Sequence, residues 1–287
     1  MRIAAIHGPT AKIFGTVQGD EFRPLLSGGK GISDLRQVIA LITGTGTVDH
    51  GPSSPLSKAK LAAPVGPLPK NVMAVGKNYH DHAQEFARSG IDQSGDKQEV
   101  PEFPVVFTKA VNSLSDPGDP IPASRDPSNT TDYEGEFGVV IGRAGHNIKK
   151  ADAYDHVFGY TIVNDATARA IQQRHKQWFL GKSLAGFCPV GPVLVTRDEF
   201  GLPDAQVLST VVNGEKRQSA PLRDLIFDVP TIIETISAFV PLEVGDLIAT
   251  GTPAGVGIGF KPPKYLKAGD EVRIAIDGIG ELVNPVT

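Results

Sequence analysis

Apolar residues fall in short runs along most of the chain, and Gly or Pro closes nearly every run. That punctuation predicts a β-rich fold with many turns and few helices. Strands are expected at "RIAAI" and "AKIFGTV" near the start, then at "NVMAVG", "PVVFTK", "EFGVVIG" and "VFGYTIVND". Further on, "PVLV", "LSTVVNG", "DLIATG" and "EVRIAI" carry the same signal. Three stretches have helical spacing instead: "SDLRQVIALI" with Ser33 as its cap, "ATARAIQQRHKQWF", and "PTIIETISAF" with Pro230 in the first turn, where a missing N–H is tolerated. A tract rich in Gly, Pro and Ser precedes residues 65–70, so a small N-terminal domain and linker are expected over 1–68 and a larger domain over 69–287. "KNYHDHAQEF" reads as a polar turn, and the apolar-poor stretch after it, residues 86–101, as a lid. "LEVGDLIATG" and "LKAGDEVRIAI" share a pattern that predicts two similar turns into strands rather than a repeat.

Composition narrows the class. The 287 residues are 40% hydrophobic and 21% charged with a formal net charge of -4, a globular profile. No basic stripe calls for nucleic acid, and no apolar run approaches the roughly 20 residues of a membrane-spanning helix. The start lacks the long apolar stretch of a secretory signal, and Cys188 is the single cysteine. A cytoplasmic protein without an intrachain disulfide is therefore expected.

Candidate chemistry begins in "DYEGEFGVVIG", residues 132–142. On a strand, Glu134 and Glu136 share one face. If that face is buried, two adjacent carboxylates must take up a proton or bind a cation. Asp165 ends the apolar strand "VFGYTIVN" and makes a third carboxylate, although it also suits an N-cap for the helix that follows. Three carboxylates make an oxygen-rich site for a hard cation such as Mg²⁺ or Mn²⁺. On a helical turn His82 and Glu85 stand at i and i+3, the spacing of an imidazole oriented by a carboxylate for general base chemistry. His80 and His82 alternatively read as two zinc ligands. Lys182 in "WFLGKSLAGF" lies among apolar and small residues and requires an anionic partner or a route to solvent. "TGTPAGVG" lacks the G-K-[ST] of a phosphate loop, and its N–H groups with the Thr252 hydroxyl are suited to a carboxylate.

Seven segments in one order resemble the fumarylacetoacetate hydrolase superfamily: "VGKNYHDHAQE", "PVVFTKAVNSLSDPGDPI", "DYEGEFGVVIG", "GYTIVNDATARAIQ", "QWFLGKSLAGFCPVGP", "TGTPAGVG" and the closing "KPPKYLKAGDEVRIAIDGIGELVNPV". They cover residues 70–287 and are most similar to its branch of acylpyruvases and 2-hydroxyhepta-2,4-diene-1,7-dioate isomerases. The resemblance implies a mainly β fold with a few helices (α+β), a mixed β-roll or β-sandwich catalytic domain beside a small N-terminal domain, and a homodimer. It implies a divalent metal, Mg²⁺ or Mn²⁺ with Ca²⁺ as an alternative, on Glu134, Glu136 and Asp165. His82 and Glu85 match the water-activating dyad, and Lys182 matches the lysine at the developing oxyanion. Gln172, Thr252, Tyr79 and Arg169 match substrate-binding positions. The activity so implied is hydrolysis of a C–C bond in an acylpyruvate or other 1,3-diketo acid through a metal-stabilised enolate. Alternatives on the same site are oxaloacetate decarboxylation, isomerisation or tautomerisation of an unsaturated 2-oxo dicarboxylic acid, or a catalytically weak binding protein. Ala170 and Ala185 depart from the acidic residues expected there.

Overall fold

The computed structural model describes residues 1–45, 47–88 and 100–287. Its strands are β1 (Arg2–His7), β2 (Lys12–Gln18), β3 (Glu21–Ser27), β4 (Val72–Gly76), β5 (Val105–Lys109), β6 (Gly135–Ile141), β7 (Val157–Asn164), β8 (Cys188–Thr196), β9 (Val207–Val212), β10 (Glu215–Pro221), β11 (Leu247–Ala249), β12 (Glu271–Ile276) and β13 (Gly280–Pro285), besides shorter pieces. The helices used below are α1 (Leu35–Thr43), α2 (His80–Arg88), α3 (Arg169–Arg174), α4 (Phe179–Lys182) and α5 (Val229–Ser237). One large sheet runs β3-β2-β1-β8-β7-β6-β11-β4-β5, and a second, antiparallel sheet runs β10-β9-β12-β13. Within the large sheet only the β11–β4 pairing of these neighbours is parallel. The N-terminal strands continue this sheet, because β1 pairs with β8 through Arg2↔Val195 and Ile3↔Leu194.

Strand alternation builds a core on each side of the large sheet. Phe137, Val139 and Ile141 of β6 join Tyr160 and Ile162 of β7, and the second sheet closes this core with Leu208, Val272, Ile274 and Leu282. Val140 and Val163 face the opposite way, into a core shared with Phe14, Leu194 and the α1 residues Leu35, Val38 and Ile39. The large sheet is thus buried on both faces in its middle, which explains why β6 and β7 read as nearly continuous apolar runs. No helix among the described residues is long and apolar enough to cross a membrane.

Several local expectations change. The α1 cap is Asp34, whose carboxylate accepts from Arg36 N at 2.9 Å, and not Ser33. "KNYHDHAQEF" forms helix α2 rather than a turn. The segment 166–179 is not one helix: α3 ends at Arg174, Lys176 takes a left-handed φ of 59°, and a new turn begins at Phe179. Strand β3 was hidden by Pro24, which sits opposite Gly15 in the ladder. The two L-x-x-G-D segments do form matching turns. Asp246 accepts from Glu243 N at 2.8 Å and Asp270 from Lys267 N at 2.9 Å, with Gly245 and Gly269 at φ 90° and 93°. Most of the segment read as a lid, residues 89–99, lies outside the described residues.

Phe137 is fully buried and stacks on Tyr160 with centroids 4.8 Å apart. Phe137→Ala should therefore lower the unfolding free energy by about 3–5 kcal/mol in chemical denaturation. Phe239, 83% exposed, serves as the control, and its alanine variant should stay within about 0.5 kcal/mol of the parent.

Candidate active site

Strand register brings the three carboxylates together. Glu136 lies opposite Val163, and Asp165 N donates to Glu134 O at 2.9 Å, so Asp165 sits across the ladder from Glu134. Directly opposed side chains share a face, and so do residues two apart on one strand. All three are buried, and one ligand oxygen from each lies within 4.8 Å of the others. This is the only such cluster of His, Cys, Asp or Glu among the described residues.

Cations converge on the cluster from three elements. Lys182, at the end of α4, places Nζ 2.7 Å from Glu134 Oε2 and 2.6 Å from Asp165 Oδ2. Lys109, the last residue of β5, puts Nζ 2.7 Å from Asp165 Oδ1, close enough for charge pairing though not aligned as a hydrogen bond. It also donates to the carbonyls of Ala166, at 3.0 Å, and Lys182. Arg169, the first residue of α3, puts Nη1 2.6 Å from Glu134 Oε1 and donates from Nε to Asp132 Oδ2 at 2.9 Å. Asp165 therefore faces two ammonium groups rather than capping α3, whose N-cap position is Ala168 without a side-chain bond.

Ion pairs join Asp132, Glu134 and Asp165 to Lys109, Arg169 and Lys182, and Lys77 is a further buried cation lining the same cleft. Glu136 has none of these pairings, and its Oε2 accepts from Gly251 N at 2.9 Å. Burial, together with the charges of Asp165 and Glu134, pushes the Glu136 carboxyl well above its ordinary range. Glu134 goes the other way: burial opposes its charge, but Lys182 and Arg169 outweigh it and hold the carboxyl below the usual range. Lys182 is likewise disfavoured by burial yet kept protonated by Asp165 and Glu134. A set of three buried carboxylate oxygen donors fits a hard divalent cation. Two bonds of about 2.1 Å span at most about 4.2 Å, so small side-chain adjustments bring all three within reach. Loading would add two positive charges beside Lys182, Arg169 and Lys77, which suits an acidic ligand.

Helix α2 presents His82 to the same cleft, with Nδ1 3.3 Å from Glu85 Oε2. The Glu85 carboxylate is seated by Gly255 N at 3.0 and 3.1 Å. A Cβ on Gly259 would lie 1.8 Å from Glu85 Oε1, so only glycine leaves room for that seat. "TGTPAGVG" thus holds carboxylates, as its N–H groups suggested, but they are the protein's own: Gly251 serves Glu136, Gly255 serves Glu85, and Gly257 donates to Asp132 at 2.7 Å.

The cleft is lined by Val75, Gly76, Lys77, His82, Phe107, Glu134, Glu136, Arg169, Gln172, Trp178, Lys182 and Thr252. About 10 Å³ is free between these side chains, room for roughly one water. Tyr79 does not line it. Its buried ring borders a neighbouring depression with His80, Asp224 and Ala254, and burial pushes its hydroxyl above the ordinary range. His80 is exposed on that same side, so His80 and His82 do not form a zinc pair. Sequence reading missed Lys77, Lys109 and Asp132, and also Trp178 and Phe107. Trp178 packs on Gly76, where a Cβ would lie 2.4 Å from the indole, and meets Phe107 edge-on at 5.1 Å. A lysine at the end of an apolar strand was the available signal for Lys109, as it was for Asp165.

Comparison with known proteins follows the same lines. Residues 71–287 match the family model described as fumarylacetoacetate (FAA) hydrolase, C-terminal. The chain is 51% identical over 231 residues to oxaloacetate tautomerase YisK of Bacillus subtilis (strain 168), covering 80% of this chain and 74% of that protein. Among solved structures, a fumarylacetoacetate hydrolase from psychrophilic Exiguobacterium antarcticum superposes with TM-score 0.84 at 39% identity, over 100% of this chain and 99% of that one. A 2-hydroxyhepta-2,4-diene-1,7-dioate isomerase from Mycobacterium marinum gives TM-score 0.78 at 35% identity, over 100% and 98%.

The raised Glu136 carboxyl sets a sign for stability. A buried acid whose folded pKa lies above its unfolded value binds a proton that the unfolded chain has lost. Its penalty therefore grows as pH rises from the ordinary glutamate range, and is complete above the folded pKa. Glu136→Gln should raise the melting temperature of the metal-free protein at pH 7 and abolish the further stabilisation given by Mg²⁺ or Mn²⁺, read by thermal melts with and without chelator. A metal-free melting temperature no higher than the parent's would show that Glu136 carries no such penalty.

Proposed function

The chain belongs to the fumarylacetoacetate hydrolase family, and on that premise we propose that it is a divalent-metal-dependent enzyme interconverting the enol and keto forms of a small 2-oxo dicarboxylic acid, with oxaloacetate as the first candidate. The observation that carries this reading is the sharing of one cleft by the buried three-carboxylate cluster and the His82–Glu85 dyad. Similarity to the B. subtilis tautomerase over 80% of the chain supports enol chemistry without bond cleavage. The cation, Mg²⁺ or Mn²⁺ with Ca²⁺ as an alternative, would be held by Glu134, Glu136 and Asp165, and when bound it supplies positive charge that favours the enolate.

The remaining roles fall to side chains of this chain. Arg169 and Lys182 bind the acid's oxygens, and Gln172 and Thr252 add hydrogen bonds from the cleft wall. Glu85 fixes the ring of His82 through Nδ1, so that Nε2 is the nitrogen that exchanges a proton with the substrate. In the enol-to-keto direction, C3 gains a proton from His82 and the 2-hydroxyl oxygen loses one to water, and no C–C bond breaks. Trp178 and Phe107 wall the cleft and limit bulk water.

A second reading, hydrolysis of an acylpyruvate, is favoured by the dyad itself, because an imidazole oriented by a carboxylate also activates water. Ala170 and Ala185 do not weaken either reading, since Lys182 already has Glu134 and Asp165 as partners. The two readings separate on product identity. Oxaloacetate enol decay should be followed by ultraviolet absorbance with added Mg²⁺ or Mn²⁺, and a panel of diketo acids by mass. His82→Ala should slow enol decay by about 10²–10⁴-fold while metal affinity stays unchanged. Cleavage of acylpyruvates without any acceleration of oxaloacetate tautomerisation would replace the first reading by the second.

A further inference from the structure

We propose that Gln218 is a positioning residue that fixes the polarity of the Thr252 hydroxyl, making it a dedicated hydrogen-bond donor to an anionic oxygen of the ligand; this rests on reading the cleft as an oxo-acid site. Strand β10 is exposed or half-buried except at Gln218, which is 1% exposed. A single fully buried amide on such a strand needs partners for both of its ends.

Those partners identify its atoms. Gly135 N, which can only donate, lies 3.1 Å from Gln218 Oε1, so that atom is the oxygen. Pro253 O, which can only accept, lies 2.7 Å from Nε2, so that atom is the NH₂. The two assignments are independent and agree, which removes the usual ambiguity of an amide flip. The second amide hydrogen goes to Thr252 Oγ1 at 2.7 Å. A threonine hydroxyl has one proton. Having accepted from Gln218, Thr252 keeps that proton for another partner, and no other hydrogen bond of its hydroxyl is present among the described residues. Thr252 is 2% exposed and lines the cleft beside Glu136, Lys182 and His82. The proton is therefore reserved for a cleft ligand with a lone pair.

The same geometry accounts for the glycine between the two glutamates. A Cβ on Gly135 would lie 2.4 Å from Thr210 Oγ1 and 3.3 Å from Gln218 Oε1. Any side chain there would push against the amide that aims Thr252. The E-G-E spacing thus serves two layers at once: cation ligands on one face, and room for Gln218 on the other.

The test is a double-mutant cycle on the full-length, Mn²⁺-loaded protein, read by calorimetric binding of oxalate. Gln218→Glu keeps the shape but accepts from Thr252, which turns the hydroxyl's lone pairs toward the cleft. Oxalate affinity should fall at least about tenfold in Gln218→Glu and in Thr252→Val, the scale of one hydrogen bond to a charged group. In the Thr252→Val background, Gln218→Glu should cost no more than about twofold, because coupled residues are non-additive. Gln218→Met, a neutral variant, should show the same dependence on Thr252 and guards against misfolding or a pure charge effect in Gln218→Glu. Mn²⁺ affinity measured alone should be unchanged in all of them. Additive losses, unchanged oxalate affinity, or lost Mn²⁺ binding in Gln218→Met would overturn the assignment. Turnover is not used, so a protein that follows this pattern yet fails to tautomerise oxaloacetate would overturn the proposed function alone.

Discussion

The structure depends on three carboxylates buried side by side on one face of β6 and β7. Glu134, Glu136 and Asp165 point the same way because ladder register leaves them no alternative, and all three are buried. Isolated buried carboxylates cost several kcal/mol each, so the surrounding elements are arranged to offset them. Lys182 arrives on α4, Lys109 on β5 and Arg169 on α3, while the glycine-rich loop at 250–258 contributes N–H groups. Glu136 is held by a backbone N–H rather than by any of these three cations. A protein selected only for stability would replace Glu136 by an apolar residue, whereas a site that must recruit a cation keeps it.

The glycine-rich loop links this cluster to the His82–Glu85 side of the cleft. Within one short stretch it touches Glu136 through Gly251, Glu85 through Gly255 and Asp132 through Gly257 and Ile258, and it carries Thr252. Asp132 in turn grips Arg169, which grips Glu134. The seat of Glu85, the carboxylate cluster and the Arg169 guanidinium are thus parts of one hydrogen-bonded unit. A shift in any of them is felt by the others, as expected for polar networks in a low dielectric.

Much of this was legible in the sequence because the relevant signals are local. Glu-x-Glu on an apolar strand, a carboxylate ending the next strand and His-x-x-Glu each state a side-chain direction through a period of two or of 3.6. The β-rich class followed from punctuation by Gly and Pro. What stayed hidden depends on contacts distant in sequence. Gln218 sits in "EKRQSAP", where nothing local separates it from its solvated neighbours, and its burial exists only because β10 lies against the 250–258 loop. Lys109 and Asp132 look like ordinary strand ends until the ladder places them beside Asp165 and Arg169. Helix α2 was read as a turn because its sequence is mostly polar, and its stability comes from docking Ala83 and His82 inward. Tyr79, matched to the substrate side by resemblance, is buried and borders the neighbouring depression, with its hydroxyl within electrostatic reach of Glu136.

One constellation can serve hydrolysis, isomerisation and tautomerisation because all three share their most demanding requirement, a developed negative charge on an enolate oxygen. A preorganised cluster of cations stabilises that charge by several kcal/mol whatever happens next. The reactions differ in what a general base oriented as His82 is would exchange: a proton with carbon, or a proton with an attacking water. Excluding water and holding a small acid rigidly favours the former, and a wider cleft with an ordered water favours the latter. The close packing of Trp178 against Gly76 and Phe107, together with Lys182 drawn across the carboxylates, leaves little space for a second reactant beside the substrate. Specificity on this scaffold is therefore decided less by the charged residues, which the chemistry requires in every case, than by the neutral ones that set the width of the cleft and the direction of single protons such as that of Thr252.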